Sequence, residues 1–115
     1  MPRRDITMSD DEVEEFLSAR AHMVVGVIDD DGWPTGTIVA TRYADGQLTL
    51  HLPSGDQLLD VVARDPRICC TADEHGSYYD IRGVIVHGTA ERGDSENELS
   101  VTIERTISFD FGRLR

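Results

Sequence analysis

Few residues in this chain have types and spacing that could do chemistry beyond packing: four histidines, two adjacent cysteines and the run Asp29-Asp30-Asp31. His51 alternates with leucines in Leu48-Thr49-Leu50-His51-Leu52, which puts it on the polar side of a strand. There it could contact a ligand or coordinate haem, or it could be a partly exposed histidine with no partner. His87 falls inside a strand pattern and reads as packed or surface, and His22 and His75 read as surface. Cys69 and Cys70 are neighbours, so on a strand they point to opposite faces and cannot staple distant segments. No spaced set of Cys and His suggests zinc, and the two thiols read as small buried or half-buried groups of a reducing compartment. The aspartate run lacks EF-hand spacing and reads as a solvated turn, so no metal is expected. There is no Gly-x-Ser-x-Gly, no Ser–His–Asp spacing and no Gly-rich dinucleotide fingerprint, and the sequence names no catalytic acid or base.

The bulk composition narrows the partners. The chain has 115 residues, 22 acids against 11 bases, and a net charge of −11. Nucleic acid needs Lys and Arg to neutralise phosphate, and the longest basic run here is Arg3-Arg4. Nucleic acid and anionic membrane are therefore excluded as partners, and the acidity reads as solubility. No apolar run suits a signal peptide or a membrane span, so a cytoplasmic protein is expected. The length fits one domain, 1–115.

The elements that must position these residues follow from pattern. Residues 1–7 lack periodicity and read as a flexible arm. Ser9 and Glu12 fit a capping box, with Met8 and Val13 as a hydrophobic staple, and Val13, Phe16 and Leu17 continue at helical spacing, so a helix is expected over 9–19. Met23 to Ile28 is a β-branched run ended by the Asp-Gly turn, and Pro34 opens a second strand running to Tyr43. Ala44-Asp45-Gly46 turns into a strand over Leu48 to Leu52. Leu58, Leu59 and Val62 share one face of a short helix stopped at Asp65-Pro66. Ile68 to Ala72 and Tyr79 to Glu91 read as strands. In the last strand Leu99, Val101, Ile103, Ile107, Phe109 and Phe111 alternate with polar residues and are expected on one face. The order α-β-β-β-α-β-β-β, joined mostly by hairpin-type turns, predicts a mainly β fold: a six-stranded antiparallel barrel with two short helices.

Several of these segments, in this order, resemble the FMN-binding split-barrel family related to pyridoxamine 5'-phosphate oxidase. The residues that carry the resemblance are Asp31-Gly32, Pro34, Leu48 to Leu52, Gly55, Asp65-Pro66-Arg67, Ile81 to Glu91 and Ile107 to Leu114. Each motif is weak alone; their order and spacing across about nine tenths of the chain are what is shared. The resemblance implies a split β-barrel, a homodimer with sites at the subunit interface, and FMN or the deazaflavin coenzyme F-420 as cofactor, with haem in some members. It implies an oxidoreductase that moves a hydride between cofactor and a small conjugated substrate, the cofactor carrying the redox chemistry. On this reading the ring would lie against Thr37, Val39 and Thr41, the phosphate end against His51, Ser54, Gly55, Asp56 and Gln57, and Phe109 near the ring. Trp33 could lie over an interface or a ring.

The chain departs from that family where the phosphate is held. The family carries Lys and Arg in its cradle; here Ser54, Gln57 and Leu58 stand at the basic positions, Val61 at an Asn position and Asp56 at a small hydroxyl. A phosphate wants cations or helix N-terminal amides, and Asp56 as an N-cap would compete for those amides. Arg42, Arg64 and Arg67 could reach in from elsewhere. The alternative reading is therefore a non-catalytic barrel, or one binding haem or another ligand, that has lost the flavin phosphate site.

Overall fold

Asp10–Ser18 forms the first helix (α1) because its end is capped from both sides. Ser9 Oγ accepts from the Glu12 N–H at 3.2 Å and Glu12 Oε1 accepts from the Ser9 N–H at 3.0 Å. Val13, Phe16 and Leu17 then fall on its buried face, and Met8 packs beneath it. Burial of Phe16 and Leu17, each 2% exposed, contributes about 1.5–3 kcal/mol apiece. The computed structural model describes residues 5–115.

Six antiparallel strands follow: β1 (His22–Ile28), β2 (Pro34–Ala44), β3 (Gln47–His51), β4 (Arg67–Glu74), β5 (Arg82–Arg92) and β6 (Glu98–Asp110). They close into a barrel in the order β1-β2-β3-β6-β5-β4. The seam between β1 and β4 is short, with three paired positions from Val24↔Thr71 to Gly26↔Cys69. The interior is filled by Met23, Val25, Val39, Leu48, Leu50, Ile68, Cys70, Val84, Val86, Leu99 and Val101. One end of the barrel is covered by α1, tied there by Arg20 to Glu74 at the end of β4 and by Met8 N–H to Ser108 Oγ near the end of β6. The other end is covered by the second helix, α2 (Leu58–Arg64), which buries Leu58, Leu59 and Val62.

Four expectations are refined. Of the expected arm, residues 1–4 lie outside the described residues, while Ile6 O accepts from the Asp110 N–H at 2.8 Å and holds that segment to the barrel. The third strand ends at His51, so Leu52 belongs to the following loop. Tyr78–Asp80 is a 3₁₀ turn rather than the start of β5, because Asp80 Oδ2 accepts from both the N–H and the hydroxyl of Ser77. The last strand does not keep one apolar face. Gly88 pairs with Ile103 but His87 pairs with Arg105, so Glu104 is an extra residue in β6 and every later side chain changes sides. Thr106 and Ser108 therefore stand opposite Val86 and Val84, with Thr106 still exposed, and Ile107 and Phe109 stand opposite Ile85 and Gly83 on the other side of the strand. Phe111 leaves the strand altogether, in a 3₁₀ turn over Phe111–Leu114.

That bulge builds an apolar row on the outer wall. Ile38, Val24, Thr71, Ile85 and Ile107 stand opposite one another in sequence across β2, β1, β4, β5 and β6. Ile38 is 74% exposed and Val24 42% exposed. Next to this row Gly36, Gly26 and Cys69 form a second one that has almost no side chain. A Cβ on Gly26 would come 2.8 Å from Cys69 Sγ, so the floor of this trough is closed by backbone and sulfur. Beyond it Pro34 and Ile28 make a further ridge. Among the described residues no helix is long and apolar enough to cross a membrane.

Candidate functional site

The β1–β2 hairpin is organised by one carboxylate. Asp29 Oδ1 accepts from the Asp31 and Trp33 N–H groups at 3.0 and 2.9 Å, and its Oδ2 accepts from Thr35 Oγ1 at 2.8 Å. The Trp33 N–H first, then the Thr35 hydroxyl, hold the Asp29 carboxyl below its usual pKa. Gly32 supplies the positive φ of +82° that the turn needs. The Asp-Gly turn read from sequence thus carries a working part, since it fixes Thr35 at the entrance of β2.

Between this hairpin and the start of α2 lies a groove of about 270 Å³. Val27, Leu58 and Val61 give it apolar walls, and Asp29, Thr35, Thr37, Asp56 and Gln57 give it polar ones. On the α2 side Asp56 Oδ1 accepts from the Leu58 N–H at 2.8 Å. The Leu59 N–H is bonded to Asp56 O, and the Asp60 and Val61 N–H groups to Gln57 O. The first turn of the helix therefore turns these donors inward and leaves none of the four to a ligand.

The structure brings together Thr37, Asp56 and Gln57 of the sequence-predicted site and separates the others. Val39 and Thr41 follow Thr37 on the same side of β2 but lie inside the barrel, 4% and 8% exposed, because strand alternation carries them under α1. Thr41 Oγ1 is buried there with no hydrogen-bond partner among the described residues. His51 is exposed at the end of β3, opposite Ala40 and Glu98. Ser54 and Gly55 are exposed in the loop before α2. Phe109 sits at the α1 end, paired with Gly83 on the outer face, the far end of the barrel from the groove. Its ring belongs to a cluster with Phe111, Tyr78 and Tyr79, with centroids 5.1–5.9 Å apart between neighbours. Val27, Asp29 and Thr35 are groove residues that sequence reasoning missed. The Asp-x-x-Gly turn three residues ahead of Thr35 was the available signal, and it read as solvated.

The charge of the groove is one-sided. Arg64 is engaged with Asp30, Arg67 is held in a fork by Asp65 at 3.0 and 2.9 Å, and Arg42 lies on the outer face of β2 opposite Thr49. None of the three lines the groove, which faces its occupant with two carboxylates and no cation. A flavin phosphate does not fit these residues: the cations are absent, and the Leu58 amide that could replace them is already bound to Asp56. No group of three or more His, Cys, Asp and Glu residues suited to a metal occurs among the described residues.

No protein-family model matches this chain, and no curated protein matches it. Solved structures do. A conserved hypothetical protein of Mycobacterium tuberculosis superposes with a TM-score of 0.84 at 23% identity, covering 99% of this chain and 92% of that one. A FAD-binding protein of Mycobacterium smegmatis gives a TM-score of 0.75 at 16% identity over 88% of this chain and 93% of its own. A protein described as an F-420 reductase gives 0.67 at 12% identity over 82% and 94%. The fold is that of the flavin-binding, pyridoxamine 5'-phosphate oxidase-like split barrels.

Proposed function

We propose that the protein is a homodimeric split barrel that binds a planar small molecule in the groove between the β1–β2 hairpin and α2, without a phosphate anchor. The observation that carries this is the groove lining: apolar walls, two carboxylates, no cation, and a helix amide already taken by Asp56. Apolar walls with a few fixed polar groups are the common makeup of small-molecule sites.

The outer wall supports the dimer. A two-fold interface must be complementary to itself. The Ile38–Val24 ridge beside the Gly36–Gly26 trough supports such a pairing, in which a copy turned by two-fold symmetry would lay each ridge into the other's trough. Trp33, 70% exposed next to the groove, stands where a second copy could cover it. Two unpaired cysteines suit a cytoplasmic location.

A second reading is a flavin- or deazaflavin-dependent oxidoreductase that moves a hydride between its cofactor and a small conjugated substrate. The likeness of fold to a FAD-binding protein and an F-420 reductase favours it. The groove lining is against an FMN phosphate, and no residue of this chain is assigned as a catalytic acid or base. Haem is the third ligand to consider, with His51 as its candidate axial group.

Absorption spectra of the purified protein with FMN, F-420, riboflavin and haem in turn decide among these. The proposed reading expects no stoichiometric FMN band and saturable binding of an unphosphorylated ring. A stoichiometric FMN or F-420 band refutes it in favour of the oxidoreductase. A Soret band abolished by His51→Ala would establish the haem reading.

A further inference from the structure

We infer that Asp56 makes the groove select by charge, so that it takes an uncharged planar ring and turns away the phosphorylated form of the same ring. This rests on the ligand-binding reading above and assigns a specificity-determining residue to it. Asp56 acts twice. Its Oδ1 occupies the Leu58 N–H at 2.8 Å, the amide an anion would otherwise use. Its second oxygen has no hydrogen-bond partner among the described residues, and the residue lines the groove, so its charge faces the occupant. Across the groove stands Asp29, whose carboxylate already accepts three hydrogen bonds. The nearby guanidinium groups of Arg64 and Arg67 are committed to Asp30 and Asp65.

What remains for a ligand is the Gln57 carboxamide, the Thr37 hydroxyl and the apolar surface of Val27, Leu58 and Val61. A carboxamide offers both a donor and an acceptor, and a hydroxyl does the same. That set matches the edge of a neutral heteroaromatic ring, and to a dianion it offers neutral donors with no cation beside them. Repulsion between two carboxylates and a phosphate dianion at groove distances amounts to on the order of tenfold to a hundredfold in affinity, and salt weakens it.

The test compares riboflavin with FMN, the same ring without and with phosphate, by quenching of flavin fluorescence at low and high salt. The wild-type protein is expected to bind riboflavin about tenfold to a hundredfold more tightly than FMN at low salt, with the gap narrowing at high salt. Asp56→Asn keeps an oxygen for the Leu58 N–H and removes the charge, so it narrows the gap with an unchanged melting temperature. Asp56→Ala with Gln57→Lys frees the amide and adds a cation, so it reverses the preference toward FMN. Equal or tighter FMN binding by the wild type overturns the inference, as does a preference that both variants leave unmoved. Failure of both flavins to bind the wild type and the double variant also overturns it. If F-420 and haem give no band either, the ligand-binding reading falls with it.

Discussion

Replacing Ile38 with arginine tests the proposed dimer at one atom cluster. Ile38 is 74% exposed and pairs across the sheet with Val24, so its side chain contributes little to the packing of its own barrel. The change should alter the stability of the isolated subunit by no more than about 0.5 kcal/mol. In the proposed dimer the side chain would sit in the partner's glycine trough. Full burial of an isoleucine is worth about 1.5–3 kcal/mol, and roughly three quarters of that remains to be gained on association. The two-fold axis doubles it, so the loss is about 2–4 kcal/mol before any cost of burying a guanidinium. That corresponds to a dissociation constant raised about thirtyfold to a thousandfold. Sedimentation velocity over a dilution series measures it, and a urea melt of the same variant checks that the barrel is intact. A wild-type protein that stays monomeric at high concentration, or an Ile38→Arg variant that dimerises as tightly as the wild type, refutes the reasoning.

Gly88→Ala should destabilise the barrel by about 1–3 kcal/mol, because the new Cβ would lie 2.3 Å from Thr102 O at the β5–β6 bulge; the expected fall in melting temperature is roughly 4–8 °C per kcal/mol. Burial, with a smaller contribution from Cys69, pushes the Cys70 thiol from 9.0 up to about 12. The folded state thus keeps a proton that the unfolded chain loses, and stability falls as pH rises from 9 toward 12, by up to about 1.4 kcal/mol per pH unit. Cys70→Val should flatten that limb relative to wild type in urea midpoints measured across the alkaline range, and an identical alkaline limb in both would refute the assignment. Glu74 is held below its usual pKa chiefly by Arg82 at 2.8 Å and then by Arg20 at 2.5 Å. Its contribution is present above 4.5 and is lost as pH falls through the folded-state value. Glu74→Gln should therefore be less stable than wild type near neutrality, with the gap closing in acid, and a gap independent of pH would count against the Arg20–Glu74–Arg82 link.

Much of the fold was legible in the chain because its signals are local. The Ser9–Glu12 box, the Leu48–Leu50 alternation and the Asp65-Pro66 stop each act within a few residues, and each marks the element it was expected to mark. The bond from the Leu58 amide to Asp56 was legible for the same reason, since a carboxylate two residues before an amide needs no distant partner, although the helix cap itself falls one residue later, at Gln57. The missing cations of the cradle could be read directly, because the segment 52–62 holds no Lys or Arg.

What the tertiary structure alone decided depends on registers between distant strands. Sequence alternation carried Leu99 through Phe111 on one face, and only the pairing of β6 with β5 reveals the extra residue at Glu104 that turns Ile107 and Phe109 outward. The row from Ile38 to Ile107 exists only once five strands are laid side by side. Likewise Thr37, Val39 and Thr41 are equivalent by alternation, and closure of the barrel under α1 buries two of them and leaves one in the groove. Residue types determined which chemistry this protein can offer an occupant; strand register and barrel closure, which join residues far apart in the chain, decided where that chemistry meets.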